Sequence, residues 1–254
     1  MREITTIGFA TFGEAIRRRI LVIFLLFAII SIVGSQVFKT FSPGEADKFV
    51  VDLGLNSIKW FSMLIAILLG AVMIPQEIER KTLHTVLAKP VGRGQFVLGK
   101  FFGTCLAVLF NAALMGVAFA VVYVIQQQGK DLDPALLLQF VLTCAELVLF
   151  ISIIIFLSTF ASTVFVLVVS FCVIVLGSTS SFLGKIPAES WISQVVFITI
   201  GALAPNFEVF DLSRAILTHA SVPPDLIYYP LTYAAMYTSI MLLLSFVVFN
   251  ERQF

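Results

Sequence analysis

The sequence predicts an all-α polytopic membrane protein: one domain over residues 1–254 with six transmembrane helices. Three observations predict it. Hydrophobic residues make up 59% of the chain and charged residues 12%, about half the charged share of a soluble domain. The mean hydropathy is +1.05. Residues 147–184 carry no charge at all, an uninterrupted apolar run that a soluble core does not require and a membrane-spanning chain does.

The remaining composition narrows the function classes. The net charge of +1, with no strongly basic domain, argues against a nucleic-acid partner. Cys105, Cys144 and Cys172 stand far apart in apolar segments, which suits neither a disulfide framework nor a zinc site. His84 and His219 are isolated, so no metal centre is expected.

Charge-free runs give the spans in order. The first, 20–38, lies between Arg19 and Lys39. The second is the run 60–76, bounded by Lys59 and Glu77 and extended by Ser57 and Ile58 to 57–76. The third is 95–125. The long run 147–184 would measure about 57 Å as one helix, too long for one crossing. The polar turn at Ser158-Thr159-Phe160-Ala161-Ser162-Thr163 divides it into spans at 134–158 and 162–184. The last span is 226–249. Residues 190–204 are apolar but are cut short by Pro205, which favours a re-entrant or outer segment over 186–212, with a seventh span as the alternative.

Ahead of the first span, residues 1–19 read as an amphipathic interface helix. Phe9, Phe12, Ile16 and Ile20 recur at helical spacing opposite Glu14, Arg17 and Arg18. Basic clusters at Arg17–Arg19 and at Arg80, Lys81, Lys89, Arg93 and Lys100 are separated by two crossings, which puts both, and both termini, in the cytoplasm. The acidic loops then face outward. Trp60, Tyr123, Trp191, Tyr228 and Tyr229 fall near the outer boundary, where aromatic residues concentrate.

Residues 77–89 form a patterned helix between spans two and three. Ile78, Thr82, Leu83, Val86 and Leu87 share one arc; Glu77, Arg80, Lys81 and His84 share the other. Pro90, Gly92 and Gly94 stop it. Glu79 sits within the apolar arc and calls for a partner, with Arg93 or Lys100 in reach.

This stretch resembles the signature of ABC-2 type permeases, the membrane subunits of ATP-binding-cassette exporters of the type V class. Glu77, Glu79, Thr82, Leu83, Lys89, Pro90, Arg93, Gly99 and Lys100 stand in the family's order, and Pro205-Asn206-Phe207-Glu208 with Phe210-Asp211-Leu212 is similar to it as well. Lys81 departs from the glycine many relatives carry. The resemblance implies that 77–89 is a coupling helix docking on a separate ATPase subunit through Glu77, Ile78, Glu79, Arg80, Lys81, Thr82, Leu83, Pro90 and Arg93. It implies two ATPase copies, a homodimer of the permease, contact with membrane lipids, room for an additional outer-side subunit, and the bacterial inner membrane as location. ATP and magnesium would belong to the ATPase, with no cofactor in this chain and no catalytic residues. The short segments near 186–212 would cap the path from outside.

Residues 94–101 come close to a phosphate-binding loop, but Phe101 offers no hydroxyl for magnesium and the stretch runs into span three. The energy source is therefore expected in another polypeptide. Within the membrane, Glu146 is central in span four, where a charge costs roughly 2.5–3.5 kcal/mol. Asn111, at similar depth in span three, is its expected partner, and the two are candidates for a substrate path or gate, or for a structural clamp. An integral-membrane enzyme or a scaffold subunit of another complex is the alternative function.

Overall fold

The computed structural model describes residues 2–39, 46–75, 92–126, 134–179, 205–213 and 223–251. Among these the chain is all helical. The helices are α1 (Arg2–Ile16), α2 (Arg19–Lys39), α3 (Ala46–Met73), α4 (Arg93–Gln126), α5 (Pro134–Ser158), α6 (Thr163–Ser178) and α7 (Asp225–Glu251), with a short 3₁₀ turn at Phe207–Phe210. Four stretches are long and apolar enough to cross a membrane: Val50–Met73, Gly94–Ile125, Pro134–Ser158 and Asp225–Glu251. Leu21–Gly34 and Thr163–Ser178 are shorter apolar helices.

From α3 to α5 the helices alternate in direction. Ser62 of α3 meets Met115 of α4, and Gly54 lies against Phe119, so those two run antiparallel. Lys59 reaches Glu146 of α5 while Gly70 lies against Ile154, so α3 and α5 run parallel. The start of α4 packs on the end of α7, where Phe96 stacks on Phe249 at 5.8 Å between centroids. We call this the Phe96 end of the bundle and the opposite one the Tyr123 end.

Burial is inverted relative to a soluble bundle. Outward faces are apolar: Val164 is 70% exposed, Leu243 66% and Val117 62%. Polar side chains lie inside instead, including Ser62, Thr104, Gln139, Thr143, Glu146, Ser152 and Ser158. In water that arrangement would be costly; in lipid the outward apolar face is the solvated one. The central helix is α5, with Leu142, Leu147 and every residue from Leu149 to Ile155 buried. It ends at Ser158, whose hydroxyl donates to the carbonyls of Gly70 (2.9 Å) and Ile154 (2.8 Å), and α6 begins five residues on, at Thr163.

Two expectations change here. The second span was expected from 57, but α3 begins at Ala46 and continues through Lys59. A lysine ends a span only when its charge must reach water, and this one is neutralised from α5. Trp60, 40% exposed, is consequently near the middle of α3 rather than at a helix boundary. The N-terminal helix is also more than a surface element. It runs alongside the first turns of α4, with Ile7 against Gly99, Thr11 and the Gly8 carbonyl against Gly103, and Phe12 edge-on to Phe110 at 5.9 Å. A Cβ at Gly103 would sit 2.5 Å from the Gly8 oxygen, so glycine is what lets the two backbones touch. Phe9 and Ile16 remain exposed on the far side, and Arg18 pairs with Glu14 at 2.9 Å.

Candidate functional site

Glu77, Ile78, Glu79, Arg80, Lys81, Thr82, Leu83 and Pro90, expected from the sequence to dock on an ATPase, lie outside the described residues, as do the side chain of Arg93 and the first part of the 186–212 segment. The flanks of the 77–89 segment are described. At α3's end, Ile74 and Pro75 are buried. At the start of α4, the Gly92 N–H donates to Gln95 Oε1 at 3.0 Å, the reciprocal half of a capping box. Residues 94–101 are the first two turns of α4, with Lys100 buried and its ammonium 5.8 Å from the centre of the Phe96 ring.

Glu146 is fully buried at mid-length of α5, and its carboxylate oxygen Oε1 lies 2.8 Å from Lys59 Nζ. This corrects the expected pairing with Asn111. The Asn111 amide instead donates weakly to the Leu21 carbonyl at 3.5 Å, which ties α4 to the start of α2. The geometry favours the lysine: its long arm spans the gap between two parallel helices, and opposite charges offset each other's desolvation as an amide cannot. Glu146 Oε2 finds no hydrogen-bond partner among the described residues.

The pair closes a longer polar seam. On α3, Asp52, Asn56 and Lys59 follow one another at intervals of four and three; on α5, Gln139, Thr143 and Glu146 do the same. That spacing keeps each trio on one helical stripe. Because the helices run parallel with Lys59 opposite Glu146, Asp52 and Asn56 occupy the same turns as Gln139 and Thr143. Asn56 donates to the Asp52 carboxylate at 3.0 Å, and Thr143 donates to the Gln139 carbonyl at 2.9 Å. The seam thus runs from the Tyr123 end to the middle of the bundle. Beyond it the contacts turn apolar, at Phe150 and Ile154.

Residues 205–213 cover this seam. Phe207 and Phe210 are fully buried, and Phe207 meets the Phe150 ring edge-on at 5.9 Å. A Cβ at Gly177 of α6 would lie 2.6 Å from the Pro205 oxygen, so glycine admits the segment there. Irregular backbone inside a bundle must find its hydrogen bonds locally. The Asn206 side chain accepts from the Glu208 N–H at 3.0 Å, and the Asn206 N–H donates to the Tyr233 hydroxyl oxygen at 3.1 Å. Gln139 brackets the next stretch, accepting from the Leu212 N–H at 2.7 Å and donating to the Phe210 carbonyl at 3.1 Å. Asp211 is exposed and close enough to interact electrostatically with both Asp52 and Glu146.

Sequence reasoning missed Lys59 and Gln139 as site residues. The signal was present as two polar trios of identical spacing in otherwise apolar spans.

Comparison with known proteins gives a family and a named relative. The profile of the ABC-2 family transporter proteins matches residues 10–253. A protein named a probable ABC transporter permease protein NosY, from Pseudomonas aeruginosa, is 39% identical over 121 residues, which is 46% of this chain and 43% of that protein. The matched region therefore spans under half of that relative's length.

Proposed function

The chain belongs to the ABC-2 family of transporter proteins, and from that membership we propose that it is the transmembrane permease subunit of an ATP-binding-cassette exporter. The observation that carries this reading is the family match, which extends over nearly the whole chain. The named relative, called an ABC transporter permease, supports it. So does a bundle whose outward faces are apolar and whose polar residues line an interior seam.

In this reading six helices cross the bacterial inner membrane, α2 and α6 included, with both termini in the cytoplasm. The Phe96 end is then the cytoplasmic end. There, residues 77–89 form the coupling helix between α3 and α4, and Glu77, Glu79, Thr82 and Leu83 seat it in a groove of a separate ATPase. The ATPase holds ATP and magnesium. The docking of α1 along α4 supports this arrangement, because a push on the segment joining α3 to α4 reaches α1 through Gly99 and Gly103. Two permeases and two ATPases form the working unit. The segment 186–212 caps the transport path from the outer side, and the burial of Phe207 and Phe210 near its end supports that role. The Lys59–Glu146 pair lies beneath the cap as a gate between α3 and α5.

Co-purification tests the reading directly. A tagged chain extracted in mild detergent from its own host brings an ATPase polypeptide with it in about equimolar amount. Recovery of the permease with no ATPase, in cells whose neighbouring genes encode none, refutes the exporter assignment.

A further inference from the structure

We propose that Gln139 is the positioning residue that latches the 205–213 segment closed over the polar seam. This rests on the reading of that segment as the cap of the transport path.

Three features make Gln139 a latch rather than simple packing. First, its one amide holds two points of the segment's backbone, the Leu212 N–H and the Phe210 carbonyl. One side-chain rotation releases both together. The Asn206 N–H also bonds outward, to the Tyr233 hydroxyl at 3.1 Å, whereas the bonds of Glu208 N–H to Asn206, Asp211 N–H to the Glu208 carbonyl at 3.1 Å, and Ser213 N–H to the Asp211 carboxylate at 2.8 Å are internal to the segment and travel with it. The segment therefore keeps its local shape when it leaves.

Second, the amide donor keeps a partner when the segment leaves. Gln139 Nε2 already donates to Thr143 Oγ1 at 3.4 Å, one turn along the same helix, in addition to the Phe210 carbonyl. A buried amide that lost all partners would resist opening; this one retains the hydroxyl when the carbonyl departs.

Third, the closed position is electrostatically loaded. It brings Asp211 near Asp52 and Glu146, two groups of its own sign, while Lys59 is already engaged by Glu146. Repulsion at Asp211 favours departure of the segment, and the two Gln139 bonds oppose it together with the burial of Phe207 and Phe210. Opening uncovers the seam down to the Lys59–Glu146 pair.

The test uses the full chain assembled in membranes, with Cys105, Cys144 and Cys172 replaced by alanine. A single cysteine is placed at Leu212, which is 3% exposed, and its modification by a membrane-impermeant maleimide is timed. Gln139→Met, which keeps the volume and loses both bonds, is expected to speed labelling at least tenfold. Labelling of a control cysteine at the buried Val166 stays unchanged. Adding Asp211→Asn to Gln139→Met removes the repulsion and slows Leu212 labelling to within about threefold of the parent. A purely structural role for Gln139 predicts neither this rescue nor the silence at Val166. A Gln139→Met rate within twofold of the parent, an equal rise at Val166, or no rescue by Asp211→Asn overturns the proposal. If Gln139→Met does not accumulate, Gln139→Glu keeps the bond to Leu212 and loses the one to Phe210; a labelling rate unchanged from the parent then overturns it. Loss of the ATPase in co-purification defeats the permease reading and leaves these labelling ratios as they stand, so the two failures are distinguishable.

Discussion

Replacing Lys59 by methionine strands a carboxylate in the centre of the bundle. At 2.8 Å the gross attraction of the Lys59–Glu146 pair is about 6 kcal/mol at an effective dielectric constant of about 20. Most of it offsets the desolvation of the two ions, so the net worth of the pair is small. The cost appears when one partner goes. Lys59→Met leaves Glu146, 1% exposed at its side chain, without a counterion, and is expected to cost about 3–5 kcal/mol. At roughly 2–4 °C per kcal/mol for a chain of this size, the unfolding midpoint falls by roughly 6–20 °C. Glu146→Gln strands the lysine instead. That side chain is 16% exposed and its ammonium can tilt toward water, so the cost is about 1–2 kcal/mol. Assembly survives, while ATPase activity coupled to transport changes. The double variant Lys59→Met/Glu146→Gln carries no stranded charge and stays within about 1.5 kcal/mol of the parent. Thermal unfolding of the purified protein in nanodiscs reads all four corners of the cycle. A coupling energy below about 0.5 kcal/mol, with the Lys59→Met and double variants melting together, refutes the reasoning.

Four other outcomes are expected. Gly103→Ala puts a methyl group against the Gly8 carbonyl and costs about 1–3 kcal/mol, read as a lowered melting point and faster proteolysis of α1; Gly13→Ala, with no atom within 4 Å of the new carbon, stabilises α1 by about 0.5–1 kcal/mol. Gly177→Ala drives a methyl group toward Pro205 and Phe207 and destabilises the fold by about 1–3 kcal/mol, checked by the same melts. Glu79→Ala and Thr82→Trp each abolish stimulation of the ATPase by the permease while the bundle melts at the parental temperature; normal coupling in both rejects the docking role of 77–89.

How much of this was legible in the sequence depends on whether the signal was local. The all-helical class follows from composition. The break between α5 and α6 follows from a hydroxyl-rich stretch, because Ser158 and Thr159 bond to backbone carbonyls within a turn. The start of α3 was not legible. A span was bounded at its nearest charge, and only the fold brings Glu146 to Lys59 and lets the helix run on through it. The partner of Glu146 was misjudged for the same reason: depth along the helix pointed to Asn111, whereas the direction in which α5 presents its polar stripe decides for α3. Gly8, Gly99 and Gly103 spelled out the α1–α4 contact, but small residues can equally face another span, and a stripe does not say which. Gln139 went unnoticed because its partners are backbone atoms of a segment about seventy residues away, which no side-chain pattern encodes.

The ion pair has one more consequence, and it concerns synthesis. The chain emerges from its N-terminus, so Lys59 enters the bilayer roughly ninety residues before Glu146 has been made. At about 5–20 residues per second that interval is on the order of 5–20 s. Throughout it, α3 carries a lone ammonium at a depth where a charge costs roughly 2.5–3.5 kcal/mol. The next long helix in the chain, α4, brings no carboxylate to relieve it. Until α5 arrives, α3 carries that charge without the partner the finished bundle gives it, and the pair that joins the two helices forms only after α5 has followed α3 and α4.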